Sequence, residues 1–533
     1  MPQQKRYPLL ALCLSAALLF CACTPAATQG QGGVLLNAQD VALANETAQT
    51  KIDPTEITGE LCIYLEAMYT DDLTNDLVWQ TINAFREEYQ NITLTFDSPT
   101  GGASSYELRE AEIARIETEI IAGGGPDVFI FGYDDYTDCK LFPDLEKAMQ
   151  NGAFLDCADL LLSFGIDVKS DDFWQVVMET GRIEDAQYFI PLSFDVQIAV
   201  GAQSTVAASG FDTNAAQQST AAFIAEVEQA YLQDNAYTTN FFSNTIANLA
   251  TPVMDYAAST IRLDDTKVRD MFALEQAICN APWNQGLDAF QTELTQTGDA
   301  QFYPQEVTRL ADGERLFCAW GVSNAVQLLW TMSARETDAT ILPLPNEYGT
   351  GTAVVESCAV ISANTQNELA AALFVSYLLG EEAQGSAAYP SASFTLPVRV
   401  DSLADAINAY RDYKYNIWWT DPTAEEIAMW EEVITEAYYP VTFTPYTEAE
   451  IADYRVALGA PLTDAMIGDL YAICENISAA YLETIFSKTI QAAVSTDGDY
   501  LIYTAYEQYL AGEILYSELL STLTGRLQLY LDE

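Results

Sequence analysis

Glu60-Leu61-Cys62-Ile63-Tyr64-Leu65, Ile92-Thr93-Leu94-Thr95-Phe96 and Asp127-Val128-Phe129-Ile130-Phe131 are three short apolar runs separated by two stretches of helical period. The first and third read as buried strands. The second alternates and carries β-branched residues, as a half-covered strand does. Between the first two, Leu73, Leu77, Val78, Ile82, Phe85 and Tyr89 recur on one helical face. Between the second and third, residues 108–122 bring Ile113, Ile116, Ile120 and Ile121 together, and Gly123-Gly124-Gly125-Pro126 then stops the helix. Strand, helix, strand, helix, strand predicts an α/β fold built on a parallel sheet with crossover helices. Ligands on such sheets collect beyond the carboxyl ends of the strands, which directs attention to residues 66–70 and 132–136. The glycine triplet is no phosphate loop, because there the glycines follow a strand and open a helix, whereas these close one.

The chain around these runs has 533 residues, enough for two lobes with separate cores. Its 77 Asp and Glu face 22 Lys and Arg, a formal net charge of -55. Such a surface repels nucleic acid and anionic lipid, so nucleic-acid binding is set aside and the acidity is read as a solvated surface. The sequence contains no histidine. Ser-His and Cys-His catalytic pairs and His-containing zinc sites are therefore excluded. Adjacent acids such as Asp134-Asp135 and Asp171-Asp172 are expected by chance at this composition and do not identify a glycosidase. No segment fits the EF-hand template. No catalytic residue, cofactor or metal site is assigned.

Lys5 and Arg6 precede an apolar stretch at 9–20 that is too short for an ordinary membrane-spanning helix. The stretch ends in Leu19-Phe20-Cys21-Ala22-Cys23-Thr24, which resembles a bacterial lipoprotein signal with Cys23 as the lipidated residue. Residues 24–55 are rich in Ala, Gln, Gly, Thr and Asn and read as a flexible tether. The remaining cysteines, Cys62, Cys139, Cys157, Cys279, Cys318, Cys358 and Cys474, are scattered and form no CxxC pair. Buried free thiols suit that pattern better than a disulfide framework. Further along, helical patterns lie at 221–232 and 268–279, short apolar pieces at 316–319 and 339–344, and the C-terminal third is mostly helical.

Four stretches carry a family resemblance. They are Ala84-Phe85-Arg86-Glu87-Glu88-Tyr89 with Gly124-Gly125-Pro126-Asp127-Val128; Tyr188-Phe189-Ile190-Pro191-Leu192-Ser193-Phe194-Asp195; Asp312-Gly313-Glu314-Arg315-Leu316-Phe317 through Gly321 to Pro343-Leu344-Pro345; and Ser357-Cys358-Ala359-Val360-Ile361 through Glu381-Glu382-Ala383-Gln384 to Leu396-Pro397-Val398-Arg399. In this order and spacing the chain resembles the bacterial extracellular solute-binding proteins of family 1, the maltose-binding-protein-like components of ABC importers. The resemblance spans about residues 57–533. It implies a two-lobed periplasmic-binding-protein-like fold of type II, each lobe a sheet flanked by helices, joined by a hinge of crossing segments.

The implied division is a signal peptide at 1–22, a lipid-anchored tether at 23–56, a first lobe at 57–195 completed by a return segment at 353–400, a second lobe at 196–352, and a mostly helical part at 401–533 belonging largely to the second lobe. The implied function is capture of a carbohydrate, an oligosaccharide by preference, and its delivery to the membrane permease. The protein would be a monomer on the extracellular side of the cell membrane, attached through its lipid anchor alone, and would do no chemistry. Aromatic faces and carboxylates bind sugars, so the candidate ligand residues are Tyr69 and Tyr133 in the loops after strands, Phe194 and Asp195 at the first crossing, Trp320, and Glu356 beside the return crossing. Two other readings stay open: the same fold holding a polyamine or another small solute, and a surface glycan hydrolase or adhesion lipoprotein.

Overall fold

The computed structural model describes residues 52–65, 77–97, 106–132, 141–142, 145–241, 245–255, 259–285, 299–386, 394–419, 461–482 and 501–532, with a few isolated positions between 449 and 460. The three opening runs form strands β1 (Gly59–Leu65), β2 (Ile92–Phe96) and β3 (Val128–Phe131), with helices Leu77–Glu88 and Tyr106–Ile121 between them. β1 lies in the middle, parallel to both β2 and β3. The second helix stops where the glycines begin, its last turn closed by the Gly123 amide on the Ile120 carbonyl and the Gly124 amide on the Glu119 carbonyl.

Asp127, next in sequence, is a structural tie. One carboxylate oxygen accepts from the Cys62 amide at 2.8 Å and the other from the Thr365 hydroxyl at 2.6 Å. The start of β3 is thus joined both to β1 and to a distant turn.

After the small hairpin β4 (Arg182–Ile183) and β5 (Ala186–Gln187) comes β6 (Phe189–Ala202), the longest strand described. Its 14 residues extend for roughly 45 Å at the usual rise per residue. Its run FIPLSFDVQIAVGA is buried at nearly every position, as a strand covered on both faces must be.

The strands that follow are β7 (Thr238–Phe241), the hairpin β8 (Met254–Asp255) and β9 (Thr260–Ile261), β10 (Arg315–Gly321), β11 (Ala339–Pro343), β12 (Gly351–Ile361), β13 (Leu396–Pro397) and β14 (Ile477–Tyr481). Ten of the fourteen strands described make one sheet. Its main path runs β2-β1-β3-β12-β6-β10-β7, with β11 and β13 also on β6 and β14 on β12.

β6 changes neighbours along its length. From Phe189 to Val196 it pairs with β12, and β13 joins at Ser193 and Phe194. From Gln197 to Ala202 it pairs with β10 and β11. Two half-sheets therefore share β6, with the change of partners at Val196-Gln197.

Three apolar clusters support the fold, and the largest runs beneath both halves of the sheet. One packs β1, β3, β6 and β12 against Phe85, Ile116 and Phe374. A second packs Phe223 and Val227 against Leu316 and Phe317. A third joins Leu249, Val268, Met271 and Phe272 to Tyr506, Tyr509, Leu519 and Leu523 of the last two helices. Each fully buried side chain of this size contributes roughly 1.5–3 kcal/mol of transfer free energy.

The fragment Asp312-Gly313-Glu314-Arg315 has its own physical reason. Arg315 lies buried with its Nε 2.9 Å from Glu306, which also holds Arg309 at 2.5 Å and accepts from the Cys318 thiol at 3.2 Å. Cys62, Cys157, Cys279, Cys318, Cys358 and Cys474 are all free thiols. Most are buried as the sequence implies, but Cys279 is exposed at the end of its helix, and Cys139 lies outside the described residues.

Candidate functional site

The change of partners in β6 coincides with a defect in pairing. Val355 faces Phe194 and Ser357 faces Ser193, so Glu356 is an extra residue on β12. Cys358 then faces Pro191, so Leu192 is an extra residue on β6. The two irregularities cancel, and regular pairing resumes at Ala359 and Ile190. Bulges of this kind bend a strand pair and re-aim side chains. Between them the hydroxyls of Ser193 and Ser357 meet at 2.6 Å in a buried bond.

Gln384, fully buried, holds the region from behind. Its side-chain amide donates to the Leu192 carbonyl at 3.2 Å and to the Leu378 carbonyl at 3.1 Å, while its oxygen accepts from the Val398 amide at 2.9 Å.

Asp195 stands two residues beyond Ser193, on the same face of the strand by the two-residue pleat. Its Oδ1 accepts from the following amide, Val196, at 2.8 Å and from the Val322 amide at 2.7 Å. Val322 opens the helix Val322–Ala334, so Asp195 caps that helix from a different strand. Gly321 makes this possible, since a Cβ there would collide with Asp195 Oδ2. Among the described residues, Oδ2 receives no hydrogen bond of its own.

Burial pushes the carboxyl up to about 6, although the two amides pull the other way. The result is a carboxylate with one oxygen locked by two amides and the other without a hydrogen bond from the described residues. It stands where the two half-sheets meet.

The structure brings four of the six candidate ligand residues to this crossing. Phe194 pairs with Val355 and Leu396, but its ring is fully buried, so it packs beneath the site rather than lining it. Glu356 is the bulged residue and is partly buried. Trp320 pairs through its backbone with Ile198, one residue before Gly321, and its side chain is not among those described. Tyr69 and Tyr133 lie outside the described residues. The sequence reading missed Ser193, Ser357 and Gln384 as parts of the site, although all three stand within the motifs that carried the resemblance. The described residues contain no group of three or more Cys, Asp or Glu placed to hold a metal, and no helix among them is long and apolar enough to cross a membrane.

No protein-family model matches the sequence, and a comparison with curated proteins finds no match. Solved structures do match. The sugar-binding protein MalE from the phytopathogen Xanthomonas citri superposes with a TM-score of 0.55 over 89% of this chain and 98% of its own, at 13% identity. An extracellular solute-binding protein family 1 structure from Alicyclobacillus acidocaldarius covers 90% of this chain and 100% of its own, at 12% identity and a TM-score of 0.49. The galacto-N-biose-/lacto-N-biose I-binding protein of Bifidobacterium longum covers 88% and 96%, at 12% identity and a TM-score of 0.48. The first likeness, together with the mixed sheet flanked by helices, gives the fold: a two-lobed α/β periplasmic-binding-protein architecture, as the sequence resemblance implied.

Proposed function

We propose that this chain is the substrate-binding component of an ABC importer of the family 1 type, capturing a carbohydrate between its lobes and passing it to membrane permease subunits. Asp195 carries the reading. It is a carboxylate at the junction of two lobes, held rigid through Oδ1, with Oδ2 open to a sugar hydroxyl. Pre-oriented polar groups of this kind fix a ligand's position, while the surrounding apolar surface supplies contact area. The fold-level likeness to a sugar-binding MalE supports the same ligand class. Residues 57–195 with 353–400 are assigned to one lobe, and 196–352 with most of 401–533 to the other. Ligand residues Tyr69, Tyr133, Trp320 and Glu356 would surround Asp195, with Phe194 beneath. The protein acts as a monomer, performs no reaction, and is held at the outer face of the cell membrane by lipid on Cys23.

The first test is a thermal-shift screen of purified protein against mono- and oligosaccharides, polyamines and amino acids. A ligand that binds only the folded state raises the melting temperature by mass action. A shift with one saccharide class supports the reading and gives the cargo class. A shift with spermidine alone replaces the solute and keeps the fold. That outcome has its own physical basis, since the open oxygen of Asp195 also suits an ammonium group.

A further inference from the structure

Residues 461–482 are fastened at one place after another along the crossing. At their start the Ser333 hydroxyl donates to the Pro461 carbonyl at 2.6 Å, near the end of the helix Val322–Ala334 whose beginning Asp195 caps. The Thr463 hydroxyl then caps the helix Asp464–Glu475, accepting from the Met466 amide at 3.3 Å. That helix buries Met466, Leu470, Ile473 and Cys474 in the apolar cluster that β6 and β12 share. On its flank the Tyr471 ring lies 6.3 Å from that of Trp174, whose amide donates to the Val398 carbonyl at 3.0 Å just beyond β13.

β14 follows the helix. It lies parallel to β12, with Ala480 facing Ala353 and Tyr481 facing Val354. On its other edge β12 sets the same two residues against Val196 and Asp195 of β6. Tyr481, Val354 and Asp195 therefore stand in one row across three strands, where β6 changes partners. The Tyr481 hydroxyl donates to the Ala250 carbonyl, and the buried Glu347 carboxylate holds the same turn through the Ala250 and Thr251 amides at 2.9 and 2.7 Å. The amide of Gly351, where β12 begins, donates to the Asn476 carbonyl at 3.0 Å. A strand added only to cover an edge needs neither the tie at Ser333 nor the one at Ala250.

We propose that residues 461–482 are a clasp on the crossing. Their strand holds β12 on the edge opposite β6, and their first residues hold the end of the helix that Asp195 caps at its start. Strands bonded on both edges and tied at both ends open together, and amide hydrogen exchange reads the opening of such a cooperative unit. Loosening either tie therefore speeds exchange at a distance, in the strands that carry Asp195 and Val354. The clasp acts on the crossing whatever solute the protein binds.

The test is hydrogen–deuterium exchange read by mass spectrometry on purified protein, comparing wild type with Tyr481→Phe, Ser333→Ala and the double variant. Each substitution removes one hydroxyl donor and adds no volume, so the fold is kept. Each single variant should speed exchange roughly three- to tenfold in peptides covering β6, β12 and the start of the helix Val322–Ala334, and the double variant should exceed both. Peptides covering β2 and the helix Tyr106–Ile121 should exchange as in wild type. Faster exchange confined to 461–482, or no change anywhere, would overturn the clasp and leave β14 an added edge. Equal acceleration in every peptide, β2 included, would overturn it as well, since the two ties would then serve overall stability alone.

Discussion

Asp195 ties a strand to the start of a helix far away in sequence. The amides of Val196 and Val322 fix its Oδ1, while burial raises its pKa from 3.8 to about 6. The folded protein therefore binds this proton more tightly than the unfolded chain does. The group's stabilising contribution is complete below about pH 3.8 and is lost as pH rises through about 6. Asp195→Asn keeps an oxygen for both amides and removes the charge. Its stability relative to wild type should therefore improve from about pH 4 to pH 7, by on the order of 1–3 kcal/mol. Melting temperatures of both proteins at the two pH values check this, and a constant difference between them would refute it. If Oδ2 accepts from the ligand, the same variant binds saccharide more weakly at pH 7. Asp195 was singled out in the sequence by its place in the Pro-Leu-Ser-Phe-Asp motif. Its capping of a helix 127 residues away was not, because no local pattern encodes that contact.

At the level of elements, the crossing depends on β6, β12 and the polar side chains that accommodate their bulges. Gln384 lies in the short helix Glu381–Gly385 yet satisfies the Leu192 carbonyl and the Val398 amide, both buried in the crossing. Gln384→Ala leaves several buried groups without partners, at about 1–3 kcal/mol for each one stranded. The expected result is a loss of roughly 2–4 kcal/mol in urea unfolding with little change in m-value. A loss below about 0.5 kcal/mol would mean that water replaces the glutamine. The opening strands and helices were readable to within a few residues because their apolar periods are strong. β14 was not. Its sequence Ile-Ser-Ala-Ala-Tyr carries little strand signal, and it pairs because β12 offers an edge there.

At the scale of the whole molecule, two half-sheets share β6, which passes from β12 to β10 and β11 at Val196-Gln197. If the ligand is held between the lobes, the radius of gyration from small-angle X-ray scattering should fall by about 1 Å when the saccharide found in the screen is added. An unchanged value at saturating ligand would show that binding does not close the lobes. The sequence alone determined the α/β class, the parallel opening of the sheet, the helix stop at the glycines and the order of the motifs, because periodicity and turn chemistry act over short stretches of chain. It also bounded the chemistry, since a chain without histidine cannot build the common catalytic pairs. Only the tertiary structure decided that Phe194 is sealed while Asp195 keeps one oxygen without a hydrogen bond from the described residues, and that Glu356 sits on a bulge. Those outcomes depend on which distant strands and amides come together, and contacts between residues more than a hundred positions apart leave no period in the sequence.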